Sequence, residues 1–118
     1  MSMISDGQSR FAVVVAAHRR YATLDVCLQG FQKIVSNPAD LIFVDNGSGG
    51  VLTDWVKKHF RKVTILTLDE NRLFCGGYNA GIRRAIEKGF EYVLIANADT
   101  EVLKPGFVSR LIEVMGRH

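Results

Sequence analysis

Four short segments in which nearly every residue is apolar set the strongest constraint on the fold of this chain. They are FAVVVAA (residues 11–17), LIFV (41–44), VTILTL (63–68) and YVLIAN (92–97). A strand that is apolar at successive positions is covered on both faces, which is the situation of strands in parallel sheets. The segments therefore predict a mostly parallel sheet with helices on both faces.

The intervals between these segments have the apolar spacing of helices. The first helix is expected behind Thr23 as its N-cap, the second over residues 52–60, and the third up to Gly89 at a C′ position. His59 lies on the second apolar stripe and is expected to pack there. The alternation of strands and helices predicts an α/β, doubly wound fold with right-handed crossovers.

A fourth helix with an apolar face is expected over residues 107–115, with Pro105 in its first turn. Since the sequence stops soon afterwards, we expect more protein, or a second copy of the chain in a homodimer, to cover that face. Residues 1–10 are polar and are expected to form a flexible N-terminal segment. Residues 11–118 then form a single domain.

Composition narrows the functional classes. The chain has 118 residues, 47% of them hydrophobic, and a net charge of +3, which is too small to indicate a nucleic-acid partner. No apolar stretch approaches the roughly 20 residues of a membrane span. Cys27 and Cys75 are too few for a disulfide framework or a zinc site, and Cys27 is expected in the core.

Polar residues gather directly after the predicted strands, where open α/β sheets bind their ligands. His18 and Arg19 follow the first strand, Asp45 the second, and Asn97 and Asp99 the fourth. The Asp99 carboxylate could hold Mg²⁺ or Mn²⁺ together with phosphate oxygens, and a role in a turn is an equal alternative. Asp45 could accept hydrogen bonds from a ribose or a base, although turn chemistry explains its surroundings better.

The segment CGGYNAG (residues 75–81) places Gly76 and Gly77 directly before the third predicted helix. Glycines at a helix N-terminus suit a diphosphate, and a tight loop with positive φ is at least as good an explanation. Neither GxGxxG nor GxxxxGK[ST] occurs, which argues against a dinucleotide fingerprint and a P-loop. No nucleophile elbow or His/Cys cluster supports a hydrolase or a zinc enzyme.

Taken in order, VVVAAHRR, VDNGSGG, DENRLFCGGYNAGIRRA and YVLIANADTEVLKPGFV resemble the donor half of a family 2 glycosyltransferase, closest to its rhamnosyltransferase-like branch. The resemblance spans about residues 11–115. It implies a Rossmann-like GT-A sheet and an inverting enzyme that transfers sugar from a nucleotide-diphosphate sugar to an acceptor hydroxyl. The general base would come from an acceptor half that follows, so we expect a truncated donor-binding half that is inactive alone.

The resemblance also implies roles for individual residues. Asp99 would bind the Mg²⁺ or Mn²⁺ of the donor diphosphate within a DxD-like motif, whose first Asp is replaced by Asn97. Leu73 stands where the family's N-x-G-x-x-G-G-x-N-x-G loop has its first glycine. The positions expected to contact the nucleotide or its sugar are Ala16, Ala17, His18, Arg19, Asp45, Asn71, Gly76, Gly77, Asn79, Gly81 and Asn97.

The expected partners are a UDP- or dTDP-sugar and a saccharide or lipid-linked saccharide acceptor. Polysaccharide biosynthesis in the cytoplasm, or at the inner face of the membrane, is the implied setting. Two alternatives stay open. One is a non-catalytic module for nucleotide-sugar binding or assembly. The other is a nucleotidyltransferase, which would need a glycine-rich loop after the first strand, where this chain has AAHRRYA.

Overall fold

A computed structural model of the chain describes residues 10–20, 22–104 and 106–116. This part contains a four-stranded sheet with the order β3-β2-β1-β4, and every strand pair is parallel. The predicted α/β fold is confirmed. The elements in chain order are β1 (Phe11–Ala17), α1 (Leu24–Ile34), a 3₁₀ turn (Pro38–Asp40), β2 (Leu41–Asn46), α2 (Val51–His59), β3 (Thr64–Leu68), α3 (Leu73–Glu87), β4 (Tyr92–Ala96) and α4 (Phe107–Met115).

Strand β1 is the centre of the sheet, because it pairs with β2 on one side and with β4 on the other. Its side chains alternate between two apolar layers. Val13 and Val15 face the layer that contains α1, α2 and α4, while Ala12 and Val14 face α3. All four are fully buried. The two-sided burial explains why the sequence of this strand is apolar at successive positions.

The start of α1 is confirmed in position, whereas the start of α3 differs from its prediction. Thr23 occupies the N-cap position of α1, but its side chain makes no cap hydrogen bond, and the hydroxyl donates instead to the carbonyl of Ala98. Helix α3 begins at Leu73, so Gly76 and Gly77 lie inside the helix and not in a loop before it. The loop explanation for these two glycines is therefore wrong, because neither has a positive φ.

The predicted end of α3 is confirmed. Gly89 has φ +83°, in the left-handed region that favours glycine. Its N–H donates to the carbonyl of Ile86 at 2.9 Å, and the N–H of Phe90 donates to the carbonyl of Ala85 at 3.1 Å. These two bonds form a Schellman motif, which satisfies carbonyls that the helix end would leave without partners.

Several surface features depart from the predictions or lie beyond the described residues. His59 packs its ring against Trp55 of the predicted apolar stripe, but its side chain remains exposed at the end of α2. On α4, Val108 is buried but the side chains of Leu111, Val114 and Met115 are between 42% and 57% exposed. Pro105, His118 and residues 1–9 lie outside the described residues. No described helix has the length and apolarity to cross a membrane.

Helix α3 lies unusually close to the sheet at two glycines, one turn apart. A Cβ atom on Gly77 would lie 2.6 Å from Nδ2 of Asn46, and one on Gly81 would overlap Val14 and lie 3.1 Å from Cγ2 of Val44. Real Cβ atoms essentially never lie within 3.0 Å of another heavy atom, so a Cβ at either position would force its neighbours to shift. The two glycines are therefore required for helix–sheet contact, not for backbone flexibility.

Replacing Gly81 with alanine tests this packing. Although alanine favours a helix by about 1 kcal/mol, its methyl group would push α3 away from β1, so we expect Gly81→Ala to lower the free energy of unfolding by about 1–3 kcal/mol. Urea denaturation measures this. The matched control is Gly106→Ala, where a Cβ would meet nothing within 4 Å, and equal effects of the two substitutions would contradict the packing argument.

Candidate functional site

A cleft of about 450 Å³ opens at the carboxyl ends of β1, β2 and β4. The strand order reverses here, since the chain runs outward from β1 to β3 and then returns to the other side of β1 as β4. Such a switch point is where open α/β sheets bind ligands. The cleft is lined by Ala16, Ala17, His18, Asn46, Asn71, Leu73, Phe74, Tyr78, Asn97, Ala98 and Asp99.

The chain leaving β4 is held in place by side chains from two helices. Each carbonyl of residues 96–98 accepts one side-chain hydrogen bond: Ala96 from Tyr78 (2.5 Å), Asn97 from Cys27 (3.5 Å) and Ala98 from Thr23 (3.4 Å). Asp99 follows directly on this anchored segment, and its side chain is exposed. The fold therefore presents a solvated carboxylate from a fixed backbone position.

The two cysteines have opposite environments. Cys27 is fully buried, and this burial, together with the nearby Asp99 carboxylate, raises the pKa of its thiol to about 12. The thiol therefore stays protonated at neutral pH and remains a hydrogen-bond donor. Cys75 is exposed on α3, next to the residues at the mouth of the cleft. The prediction that Cys27 belongs to the core is confirmed.

Asn46, the last residue of β2, attaches the start of α3 to the sheet. Its Oδ1 accepts the N–H of Arg72 and its Nδ2 donates to the carbonyl of Leu73, both at 2.9 Å. Oδ1 of Asn71 accepts the N–H of Leu73 at 2.8 Å. Gly47, with φ +80°, permits the backbone after β2 to approach that of Asn71 so closely that a Cβ would overlap it.

Leu73 has a φ of +64°, which makes it the one non-glycine residue with positive φ among the described residues. This conformation costs a bulky residue roughly 1–2 kcal/mol. The surrounding hydrogen bonds from Asn46 and Asn71 hold it nevertheless. The side chains of Leu73 and its neighbour Phe74 consequently stand at the mouth of the cleft.

Asp45 is fully buried and does not line the cleft. Its carboxylate accepts the N–H and the hydroxyl of Ser48 at 3.0 and 2.8 Å, and those of Thr53 at 2.9 and 2.7 Å. Burial acts to raise the pKa of Asp45, but these hydrogen bonds outweigh it, so the pKa lies below its ordinary value. The carboxylate thus stabilises the turn after β2 and the first turn of α2.

The structure brings half of the predicted site residues together. Ala16, Ala17, His18, Asn71, Asn97 and Asp99 line the cleft. The others lie beside or behind it: Arg19 is exposed beyond β1, Asn79 is exposed on α3, and Asp45, Gly76, Gly77 and Gly81 are engaged in the packing around α3 and the turn after β2.

Five lining residues were not predicted, namely Asn46, Leu73, Phe74, Tyr78 and Ala98. A signal for Asn46 was present in the sequence. Side chains alternate along a strand, so Asp45 and Asn46 must point to opposite faces of the sheet. If Asp45 points away from the site, Asn46 must point toward it. The spacing of Phe74 and Tyr78 likewise places them on one side of a helix, if the helix begins early enough.

The family model described as "Glycosyl transferase family 2" matches residues 12–118. The chain belongs to this family. Among solved structures, it is similar to a mannosyltransferase from Pyrobaculum calidifontis in complex with GDP-Man and Mn²⁺, with a TM-score of 0.66 and 18% identity. The match covers 92% of this chain and 34% of that one, so this family member spans about a third of the length of its structural neighbour. A search of curated proteins finds no significant match.

The residues that line the cleft could hold a cation only together with a ligand. Within the described ranges, no three His, Cys, Asp or Glu side chains come together as a self-sufficient metal site. Mg²⁺ and related ions, however, commonly bind one or two carboxylates and take their remaining ligands from phosphates and water. Asp99, with the amide of Asn97 lining the same cleft, would hold such an ion.

The lowered pKa of Asp45 leads to a prediction about how stability depends on pH. Because the pKa of Asp45 is lower in the folded state than the unfolded value of about 3.9, its contribution to stability is full above that value and is lost as the pH falls through the folded pKa. We expect Asp45→Asn to lower the free energy of unfolding by about 2 kcal/mol at neutral pH, since an amide cannot accept all four hydrogen bonds.

The same substitution should flatten the dependence of stability on pH below about pH 4, where the unfolded state takes up the proton before the folded state does. Urea denaturation across this range measures both effects. Asp54→Asn, an exposed carboxylate in the same first turn of α2, is the control and should behave as the wild type does. If the stability of Asp45→Asn and of the wild type fell equally as the pH is lowered, the stabilising role of the ionised Asp45 carboxylate would be contradicted.

The backbone of Leu73 makes a second prediction. Leu73→Gly removes the cost of the left-handed conformation but adds the entropy cost of glycine, roughly 0.5–1 kcal/mol, so we expect the stability to be unchanged or up to about 1 kcal/mol higher. Arg83→Gly, at an exposed interior position of the same helix, should instead lose about 1 kcal/mol. If urea denaturation showed that Leu73→Gly and Arg83→Gly lose the same free energy of unfolding, the backbone of Leu73 would not be strained.

Proposed function

We propose that the cleft binds a nucleotide-diphosphate sugar and that the protein transfers this sugar to an acceptor hydroxyl with inversion. The observation that carries the proposal is Asp99, an exposed carboxylate on an anchored segment at the switch point of the sheet. Membership of glycosyl transferase family 2 supports the reaction class. The structural neighbour is a complex with GDP-Man and Mn²⁺, which supports this kind of donor and a divalent cation.

The proposed donor site divides between the two sides of the cleft. Ala16 and Ala17 carry small side chains, which leave space for the nucleotide beside β1, and His18 lines the same side. Asn71 and Asn97 offer amide groups that can hydrogen-bond phosphate or sugar oxygens. Asp45 contributes from behind the cleft in this proposal, because it fixes the turn that follows Asn46, the last residue of β2, whose side chain holds the start of α3.

Asp99 would act on the leaving group. Sugar transfer leaves negative charge on the departing diphosphate, and a bound Mg²⁺ or Mn²⁺ supplies the charge that stabilises it. Asp99 would hold the cation on the diphosphate side, with Asn97 beside it. An inverting transfer also needs a general base for the acceptor hydroxyl. Asp99 is the only carboxylate that lines the cleft in the described part of the chain, and this proposal assigns it to the cation. No second carboxylate of the described cleft is left to act as the base.

We therefore expect the 118-residue chain to bind donor without transferring sugar by itself. A UDP- or dTDP-sugar as donor, a saccharide or lipid-linked saccharide as acceptor, and a role in polysaccharide assembly complete the proposal. The shortage of carboxylates also favours one alternative, a non-catalytic module that binds nucleotide sugars. Sugar transfer by the purified protein would exclude that alternative.

Calorimetric titration tests the donor site directly. UDP, dTDP and GDP are titrated into the chain with and without Mn²⁺, and we expect Mn²⁺ to strengthen binding of at least one of them. Asp99→Asn should weaken this binding about tenfold or more, because the amide is a poorer ligand for a hard cation. Asp54→Asn, an exposed carboxylate away from the cleft, is the control, and unchanged binding in Asp99→Asn would contradict the metal assignment.

A further inference from the structure

We infer that Leu73 and Phe74 form an apolar lip that packs against a ring of the bound donor and helps to select it. The inference rests on the proposed function, since it assigns a part of the same cleft. The two residues begin α3 and both line the cleft. They are specificity-determining residues in this assignment and take no part in bond making.

The first observation is that the backbone at Leu73 is held in a costly conformation by several independent contacts. Its N–H donates to Asn71, its carbonyl accepts from Asn46, and Asn46 also accepts the N–H of Arg72. The turn at Gly47 packs directly behind this segment. Backbone strain that is fixed in this way is concentrated at ligand-binding sites.

The second observation is that the strained backbone directs apolar surface outward. The side chain of Leu73 is 74% exposed and that of Phe74 is 62% exposed. A glycine at this position would adopt the same backbone without strain and would expose no side chain. In the free protein, leucine at this position therefore has both a strained backbone and an exposed apolar side chain. Contact of that side chain with a ligand in the cleft would offset the cost of both.

The third observation is that the Phe74 ring has a fixed support. Its centroid lies 4.5 Å from that of Tyr78, at an interplanar angle of 37°. The Tyr78 hydroxyl in turn donates to the carbonyl of Ala96 at the end of β4. The ring pair is therefore tied to the sheet, so that Phe74 presents a supported aromatic surface beside Leu73.

The chemistry of the cleft indicates what the lip would contact. The amides of Asn71 and Asn97 and the carboxylate of Asp99 supply polar groups in the same cleft. A ligand for both surfaces needs a charged part and a ring with an apolar face. A nucleotide sugar has both, because its base offers a π face and its pyranose offers C–H groups, and either can pack on an aromatic or aliphatic side chain.

Binding measurements with Mn²⁺ present test the lip and identify the ring. UDP, dTDP and GDP are compared with UDP-glucose, dTDP-glucose and GDP-mannose in the wild type, Leu73→Gly and Phe74→Ala. We expect both variants to weaken binding about fivefold or more. Ile86→Ala, a 65% exposed residue near the other end of α3, is the control for the loss of exposed apolar surface.

Each outcome has a distinct meaning. A loss already seen with the nucleoside diphosphates assigns the lip to the base, and a loss confined to the nucleotide sugars assigns it to the sugar. Wild-type affinity for all six ligands in both variants would overturn the lip while leaving the proposed function intact. If the wild-type chain binds none of the six, the proposed function fails and the lip fails with it.

Discussion

The short distance between α3 and the sheet is the constraint on which the cleft depends. Gly77 and Gly81 allow the helix to rest directly on β1 and β2, where any side chain would collide with Val14 or Asn46. The first turn of α3 therefore comes within reach of Asn46, and Tyr78 can extend past β1 to the end of β4. A shift of the helix by the width of one methyl group would disturb all these contacts together, because interiors at this density have no space to absorb it.

Two aspartates in similar sequence settings have opposite structural roles. Asp45 and Asp99 both follow apolar strand residues, but β2 continues through Asp45, which is in register with Ala17 and Thr67. Asp45 is thus still inside the sheet, where Ser48 and Thr53 must satisfy its carboxylate. Asp99 lies three residues beyond the last residue of β4 and remains solvated. The length of the strand, more than the identity of the residue, separates a structural carboxylate from one available to a ligand.

The sequence predictions succeeded for features that depend on neighbouring residues and failed for features that depend on residues distant in the sequence. The four strands were predicted almost to their bounds, since their burial on both faces is encoded in consecutive residues. The C-terminal end of α3 was predicted because the signal is local, a glycine in the left-handed region. The start of α3 was missed, because glycines ordinarily mark loops and only the sheet beneath Gly77 and Gly81 explains them. Asn46 and Tyr78 were missed for the same reason, since their partners lie 18 or more residues away in sequence.

The contrast between the two cysteines gives the chain a useful chemical property. Thiolates, and not thiols, react with alkylating reagents. Cys27 is therefore unreactive for two reasons, because its pKa of about 12 keeps it protonated and because it is fully buried. Cys75 is exposed and immediately follows Phe74. The folded domain therefore behaves as a protein with a single addressable thiol, and a fluorescent label attached there would report on the mouth of the cleft without any engineered cysteine.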